Sequence, residues 1–196
     1  MRRRRIILIL TFITVSFTFY RIAKKYNFNT DYEVGQRIDS LNGVIVYFNG
    51  GVDNTVGRNT STDNYNIGLK YQCVEFVKRY YYQYLKHKMP DSYGHAKDFF
   101  DKTLSDGEIN NKRALMQFTN GSAEKPTIND LIVFGGSLLN KYGHVAIISS
   151  VADNEVEIIQ QNPGPFGKSR ESYSLLKKND RWHIDNDKVL GWLRKE

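Results

Sequence analysis

An uncharged and mostly apolar run from Ile6 to Tyr20 opens the chain behind four consecutive arginines, Arg2 to Arg5. Four charges immediately before such a run argue against an ordinary buried helix and for an export or anchoring segment. A cleavable signal would end in a small-x-small site, but Ser16-Phe17-Thr18-Phe19-Tyr20 is crowded with aromatic side chains. The expectation is therefore an uncleaved signal-anchor over residues 1–25, with secretion of the domain if the segment is cut. Fifteen residues fall short of the roughly 20 that span a bilayer. Snorkelling of Arg5 and Arg21, with Tyr20 at the interface, closes part of that gap. The four arginines favour the N-terminus inside and the domain outside the cytoplasm. No cysteine follows the run, which excludes lipid attachment at a cysteine.

Beyond a polar linker over 26–42, the pattern shortens into periodic groups that predict a domain over 43–196. Gly43 to Phe48 reads as a strand ended by the turn Asn49-Gly50-Gly51. The Asn-, Asp-, Thr- and Gly-rich stretch from Val52 to Lys70 predicts a surface loop. From Gln72 to about His87 the polar positions Glu75, Arg79 and Lys86 recur at helical spacing among Val74, Phe76, Val77, Tyr80, Tyr81, Tyr84 and Leu85. That helix must be mostly buried, and its tyrosines read as packing rather than as a sugar-stacking surface. Shorter helices are expected at Ala96 to Thr103 and Lys112 to Phe118. Strands are expected at Leu131 to Phe134, Gly143 to Val151, Val156 to Gln161, Arg170 to Leu175 and Val189 to Leu193. Helices first and strands later is the α+β pattern, with one helix packed on a curled antiparallel sheet. No internal repeat or low-complexity segment interrupts it.

Composition narrows the function classes. The formal charge of +7 comes from Arg2 to Arg5, Arg21, Lys24 and Lys25; beyond them 21 basic residues face 21 acidic ones. A neutral body gives no broad electrostatic reason to bind nucleic acid. A single cysteine rules out an internal disulfide, and no His-x-x-x-His pair or second cysteine offers metal-ligand spacing, so neither a metal nor another cofactor is expected. Nothing predicts an obligate oligomer, and a monomer is expected.

The lone cysteine, Cys73, stands at the start of the buried helix. There, backbone N–H groups and the helix dipole favour a thiolate at lower pH than the free value of about 8.5. His144 enters the apolar strand Gly143-His144-Val145-Ala146-Ile147-Ile148 and is the candidate base. Cysteine attack requires an imidazole within reach and a third group to orient it. His87 and His183 have no constellation around them, and His95 reads as a helix-start residue.

These pieces resemble the CHAP family of cysteine- and histidine-dependent amidohydrolases and peptidases, and within it the glutathionylspermidine amidase domain. The resemblance is carried by Gly68-Leu69-Lys70-Tyr71-Gln72-Cys73-Val74-Glu75-Phe76, Gly94-His95-Ala96-Lys97-Asp98-Phe99, Asp130-Leu131-Ile132-Val133-Phe134, Gly143-His144-Val145-Ala146 and Gln160-Gln161-Asn162. It implies a papain-like (NlpC/P60-like) fold and amide hydrolysis through a thioester, with Cys73 as nucleophile and His144 as base and then acid. The glutathionylspermidine amidase pattern would have a glutamate where this chain has Gln160. A neutral amide can accept the imidazole N–H but cannot offset an imidazolium charge, so a lower histidine pKa is expected than beside a carboxylate.

Register chooses the residue that reaches His144. If Asp153-Asn154 is a two-residue turn, Gln161 falls on the His144 face; a longer loop or a bulge brings Gln160 and Asn162 round instead. The oxyanion would be held by the Cys73 N–H with help from Gln72 or Tyr71. The outward-facing domain predicts peptidoglycan peptides as substrate, by amidase or endopeptidase cleavage. The family resemblance instead suggests glutathionylspermidine or another small peptide amide, and the Gln160 replacement suggests a third reading, an inactive wall-binding module.

Overall fold

The computed structural model describes residues 2–25, 31–138, 140–165 and 167–196. Residues 26–30 of the expected linker lie outside it. The chain runs α1 (Arg2–Lys25), β1 (Arg37–Leu41), β2 (Val44–Tyr47), β3 (Arg58–Thr60), β4 (Asn66–Leu69), α2 (Cys73–Gln83), a 3-10 turn (Ala96–Phe99), β5 (Glu108–Asn110), β6 (Leu115–Thr119), β7 (Leu131–Phe134), β8 (His144–Val151), β9 (Glu155–Ile159), β10 (Arg170–Lys178), β11 (Arg181–Ile184) and β12 (Val189–Arg194). The α1 helix is long and apolar enough to cross a membrane and is almost wholly exposed. Export signals and membrane anchors share that property.

Eight strands form one antiparallel sheet in the order β11-β10-β9-β8-β7-β12-β6-β5, with β1-β2 and β3-β4 as separate hairpins. β1 lies within the stretch read as linker and pairs with β2. Alternation divides the sheet's side chains between two cores. On one face Leu131, Val133, Val145, Ile147, Ile159 and Leu193 meet Phe76, Val77, Tyr80 and Tyr81 of α2. All four helix residues are fully buried, each apolar side chain contributing about 1.5–3 kcal/mol. The Tyr81 hydroxyl reaches the Asn129 and Leu193 carbonyls at 3.1 and 3.2 Å, so its polar end is satisfied. On the other face Ile132, Phe134, Ala146, Ile148, Ile158, Leu175 and Trp192 form a second core inside the sheet's curve. The curl is closed where β11 returns to the turn after β6: Trp182 N–H donates to the Ser122 carbonyl at 2.7 Å, and Gly121 N–H to the Trp182 carbonyl at 2.8 Å.

The α+β pattern and the antiparallel set stand, with four local corrections. The α2 helix stops at Gln83, short of His87. Lys86 is left-handed (φ 53°) and His87 N–H closes back on the Tyr81 carbonyl at 2.9 Å, the bond that ends a helix once one residue turns left-handed. The helix expected at 96–103 shrinks to Ala96–Phe99, because the Asp101 carboxylate captures Thr103 N–H at 3.0 Å and its hydroxyl at 2.6 Å in competition with helical bonding. The helix expected at 112–118 is instead β6, entered through a left-handed Ala114 (φ 51°). Buried Gln117 disguises that strand's alternation, bonding Asp101 on both backbone groups at 2.8 and 2.7 Å. The 52–70 loop contains the β3-β4 hairpin. Its Gly68 (φ 139°) passes so close that an added Cβ would lie 3.0 Å from Glu75 Cα, which packs this hairpin against α2.

Candidate active site

Cys73 is the first residue of α2, and Gln72 before it makes no side-chain cap. The N–H groups of Val145, Val74 and Cys73 itself face the sulfur. Val145 follows His144, so the thiol lies against the start of the strand that carries the imidazole. That start is tight. Gly143 is left-handed (φ 73°), and a Cβ there would collide with the Phe134 carbonyl. Cys73 and His144, both partly exposed, line a cleft of about 980 Å³.

β8 and β9 resolve the register in an instructive way. Ala152 N–H donates to the Glu155 carbonyl at 2.8 Å, so Asp153-Asn154 is the two-residue turn. That turn alone would aim Gln161 at His144. Pairing then shifts between Ile148 and Ser150, from Ser150↔Glu157 to Ile148↔Ile158, and Ser149 is the extra residue. This bulge returns Gln160 to the His144 side, with His144 Nε2 and Gln160 Oε1 2.9 Å apart.

The partners of Gln160 also settle the tautomer. Its Nε2 donates to the Lys168 carbonyl at 3.0 Å and to the Glu171 carboxylate at 3.3 Å, so its oxygen is the end presented to the ring. His144 therefore carries its proton on Nε2, leaving Nδ1 as the basic nitrogen.

Asn162 lines the same cleft but donates to the Gln72 side-chain oxygen at 2.8 Å and the Val52 carbonyl at 2.9 Å. Gln72 donates its own amide hydrogens to the Val52 and Asn54 carbonyls at 3.2 and 2.7 Å. Both amides thus clamp the 52–54 loop to the start of α2. Tyr71 points elsewhere: its ring packs 5.0 Å from Tyr47 and touches Gly35. His95 faces the cleft with its ring 4.5 Å from Tyr142, and its N–H bonds Asp98 at 2.9 Å.

Burial pushes the Cys73 thiol up to about 11, outweighing the three N–H groups that favour its anion. Desolvation thus overrides the helix-start effect that predicts an acidic thiol. Burial likewise depresses His144 to about 4, against the opposing pull of the Gln160 bond and the Glu171 charge. A neutral thiol and a neutral imidazole are the resting state, and a proton transfer between them creates two charges that stabilise each other. Among the described residues no cluster of His, Cys, Asp or Glu could hold a metal ion.

The roles of two polar residues escaped the sequence reading. Gln161 is wholly buried and takes the Tyr47 N–H at 2.8 Å while donating to the Gln72 carbonyl at 3.1 Å and Glu75 at 2.9 Å. Glu75 is itself buried and paired with Arg79 at 2.7 Å, so the polar stripe of α2 faces protein. The other is Glu171, whose approach to Gln160 depends on the β9-β10 register, which no short motif marks.

The CHAP domain profile matches residues 63–162. The chain belongs to the CHAP domain family. It is 33% identical over 148 residues to trypanothione synthetase of Crithidia fasciculata, covering 70% of this chain and 22% of that protein. It is 30% identical over 152 residues to the bifunctional glutathionylspermidine synthetase/amidase of Escherichia coli (strain K12), covering 72% and 24%. This CHAP chain thus spans about a quarter of the length of the curated relatives it matches.

Proposed function

We propose that this CHAP protein is a cysteine amidohydrolase. Cys73 gives its proton to His144 Nδ1 and attacks the amide carbonyl; collapse of the tetrahedral intermediate expels the amine, which takes the proton from the imidazolium. Water, deprotonated by the same imidazole, then cleaves the thioester and restores the thiol. The observation that carries this reading is the His144–Gln160 bond, which leaves Nδ1 free on the cleft that Cys73 also lines. A helix-borne thiol, a strand-borne imidazole and an orienting amide also support the papain-like assignment. The Cys73 N–H is the natural oxyanion donor. Gln72 and Asn162 serve that site by shaping the wall, since their amide hydrogens hold loop carbonyls.

For substrate we favour peptide amides of peptidoglycan. The C-terminal end of α1 contributes Tyr20 and Lys24 to the cleft rim, and Lys24 pairs with Asp53 at 3.1 Å. An anchored α1 with the domain outside the cytoplasm would hold the cleft near the membrane, within reach of wall peptides. A second reading, a small-peptide amidase acting on glutathionylspermidine-like amides, is favoured by the relative named as a synthetase/amidase. The two separate by incubating the full chain in detergent, beside Cys73→Ala, with peptidoglycan and with glutathionylspermidine. Mass spectrometry should find Cys73-dependent cleavage of wall peptides. Cleavage of the small amide alone would reverse the order, and cleavage of neither, with a thiol no more reactive than a free cysteine peptide, would leave the inactive module.

A further inference from the structure

The carboxylate of the glutathionylspermidine amidase pattern is missing at position 160, but a carboxylate stands one hydrogen bond behind it. Gln160 bridges His144 and Glu171, with Oε1 2.9 Å from the ring nitrogen and Nε2 3.3 Å from Glu171 Oε2. The β9-β10 pairing sets this up. Gln160 N–H donates to the Ser169 carbonyl at 2.8 Å and Glu171 pairs with Ile158, so Glu171 and Gln160 emerge on one face. We infer that Glu171 is a positioning residue that acts on His144 through Gln160: it fixes which end of the amide faces the ring and supplies, at one remove, the negative charge that favours the imidazolium. This rests on the reading of His144 as the base.

The surroundings leave that role to Glu171. The Gln160 bond and the Glu171 charge act on His144, and the cleft it lines also carries Cys73, His95, Lys141, Arg58 and the pair Lys24–Asp53, which is closed on itself at 3.1 Å. Glu171 is the carboxylate bonded to the ring's own partner. Tyr173 bonds Glu171 from the same strand, and its ring lies 6.0 Å from Phe134, which in turn lies 6.0 Å from His144. The neighbouring Arg170 is engaged by Asp39 and Glu157 at 3.0 and 2.8 Å.

The test needs no substrate. Iodoacetamide alkylation of Cys73 in the full chain is followed from pH 5 to 10 for wild type, His144→Ala, Glu171→Gln and the exchange variant Gln160→Glu/Glu171→Gln. Wild type should react faster than His144→Ala near pH 7, because the imidazole accepts the thiol proton and the two charges so formed stabilise each other. Glu171→Gln should slow the reaction about tenfold near pH 7 and leave it unchanged at pH 10, where hydroxide rather than the imidazole takes the thiol proton. The exchange variant, with its carboxylate moved into direct contact, should recover the neutral-pH rate. Equal rates for Glu171→Gln and wild type, or a slowing of the same size at every pH, would overturn the inference while leaving the His144 role intact. A wild type no faster than His144→Ala would instead remove the base itself, and the relay with it.

Discussion

Gln160 and Gln161 are neighbours in the chain, yet they leave on opposite faces and serve opposite halves of the site. Gln161 joins a buried charged cluster on the Cys73 helix, where Glu75 and Arg79 are 1% and 5% exposed and the Glu75 carboxylate also takes a bond from Asn59 at 2.7 Å. Gln160 holds His144 with a neutral amide and leaves the charge outside, on Glu171. A formal ion pair locks the Cys73 helix in place, whereas His144 is oriented by a dipole and kept neutral at rest by burial. Substitutions on the first side should therefore be read in stability, and on the second in reactivity.

The strongest break is Cys73→Ala, which removes the sulfur and leaves both clusters whole. Amide cleavage should fall by at least about a thousandfold, measured as product by mass spectrometry, with the circular dichroism spectrum unchanged. Glu75→Gln comes next. It strands the Arg79 guanidinium in the interior and should cost about 3–5 kcal/mol in urea unfolding of the full chain. Adding Arg79→Met should restore part of that loss, because the double variant leaves no unpaired charge.

The base side predicts a pH effect of definite sign. His144 is depressed from 6.5 to about 4 in the folded protein, so between those values the unfolded chain binds a proton that the folded chain refuses. Stability should fall as pH drops through this window, by at most about 3 kcal/mol. His144→Ala should flatten that part of the profile.

Exchanging the probes sharpens the contrast. Gln160→Ala should slow Cys73 alkylation near pH 7 by about 10- to 100-fold, or about 1.4–2.7 kcal/mol, with little change in unfolding midpoint. Gln161→Ala should cost about 1–3 kcal/mol of stability, because it leaves buried partners unsatisfied. If the two substitutions act alike, the division between a locking side and a tuning side is wrong.

This division also marks where sequence reading succeeds. Cys73 and His144 were legible because local context announces them: a lone thiol at a helix start and an imidazole entering an apolar strand. The strands of the central sheet were legible wherever alternation was undisturbed. β6 was hidden by Gln117, a polar residue buried for its hydrogen bonds. β11 was hidden by its polar composition, although Asn179-Asp180, both left-handed (φ 51° and 58°), is a hairpin signal. The choice between Gln160 and Gln161 turned on one bulge at Ser149, where a Ser-Ser pair gives no local sign of an extra residue. Glu171 needed two successive registers to be known. Chemistry held by one element reads directly, whereas chemistry assembled across three strands does not.

The smallest effect expected lies at the far edge of the base side. Arg170 forks onto Asp39 at 3.0 and 3.3 Å and onto Glu157 at 2.8 Å, while Ser169 donates to Asp39 at 2.9 Å, tying β1 to β10. Desolvation raises the Asp39 carboxyl, but the Arg170, Ser40 and Ser169 bonds outweigh it and hold the group below its ordinary 3.8. A depressed carboxyl stabilises the fold above its unfolded pKa and loses that contribution as pH falls through the folded value. Asp39→Asn should therefore cost less than about 1 kcal/mol at pH 7, because water reaches the pair, and that difference should vanish in strong acid. The window distinguishes it from His144: the imidazole acts between 6.5 and about 4, and Asp39 only below 3.8. Urea unfolding of wild type, Asp39→Asn and His144→Ala at pH 7, 5 and 3 should place the first loss above pH 4 and the second below it. A single shared window would mean that these groups titrate as one network, and that the tuning side extends to the rim of the sheet.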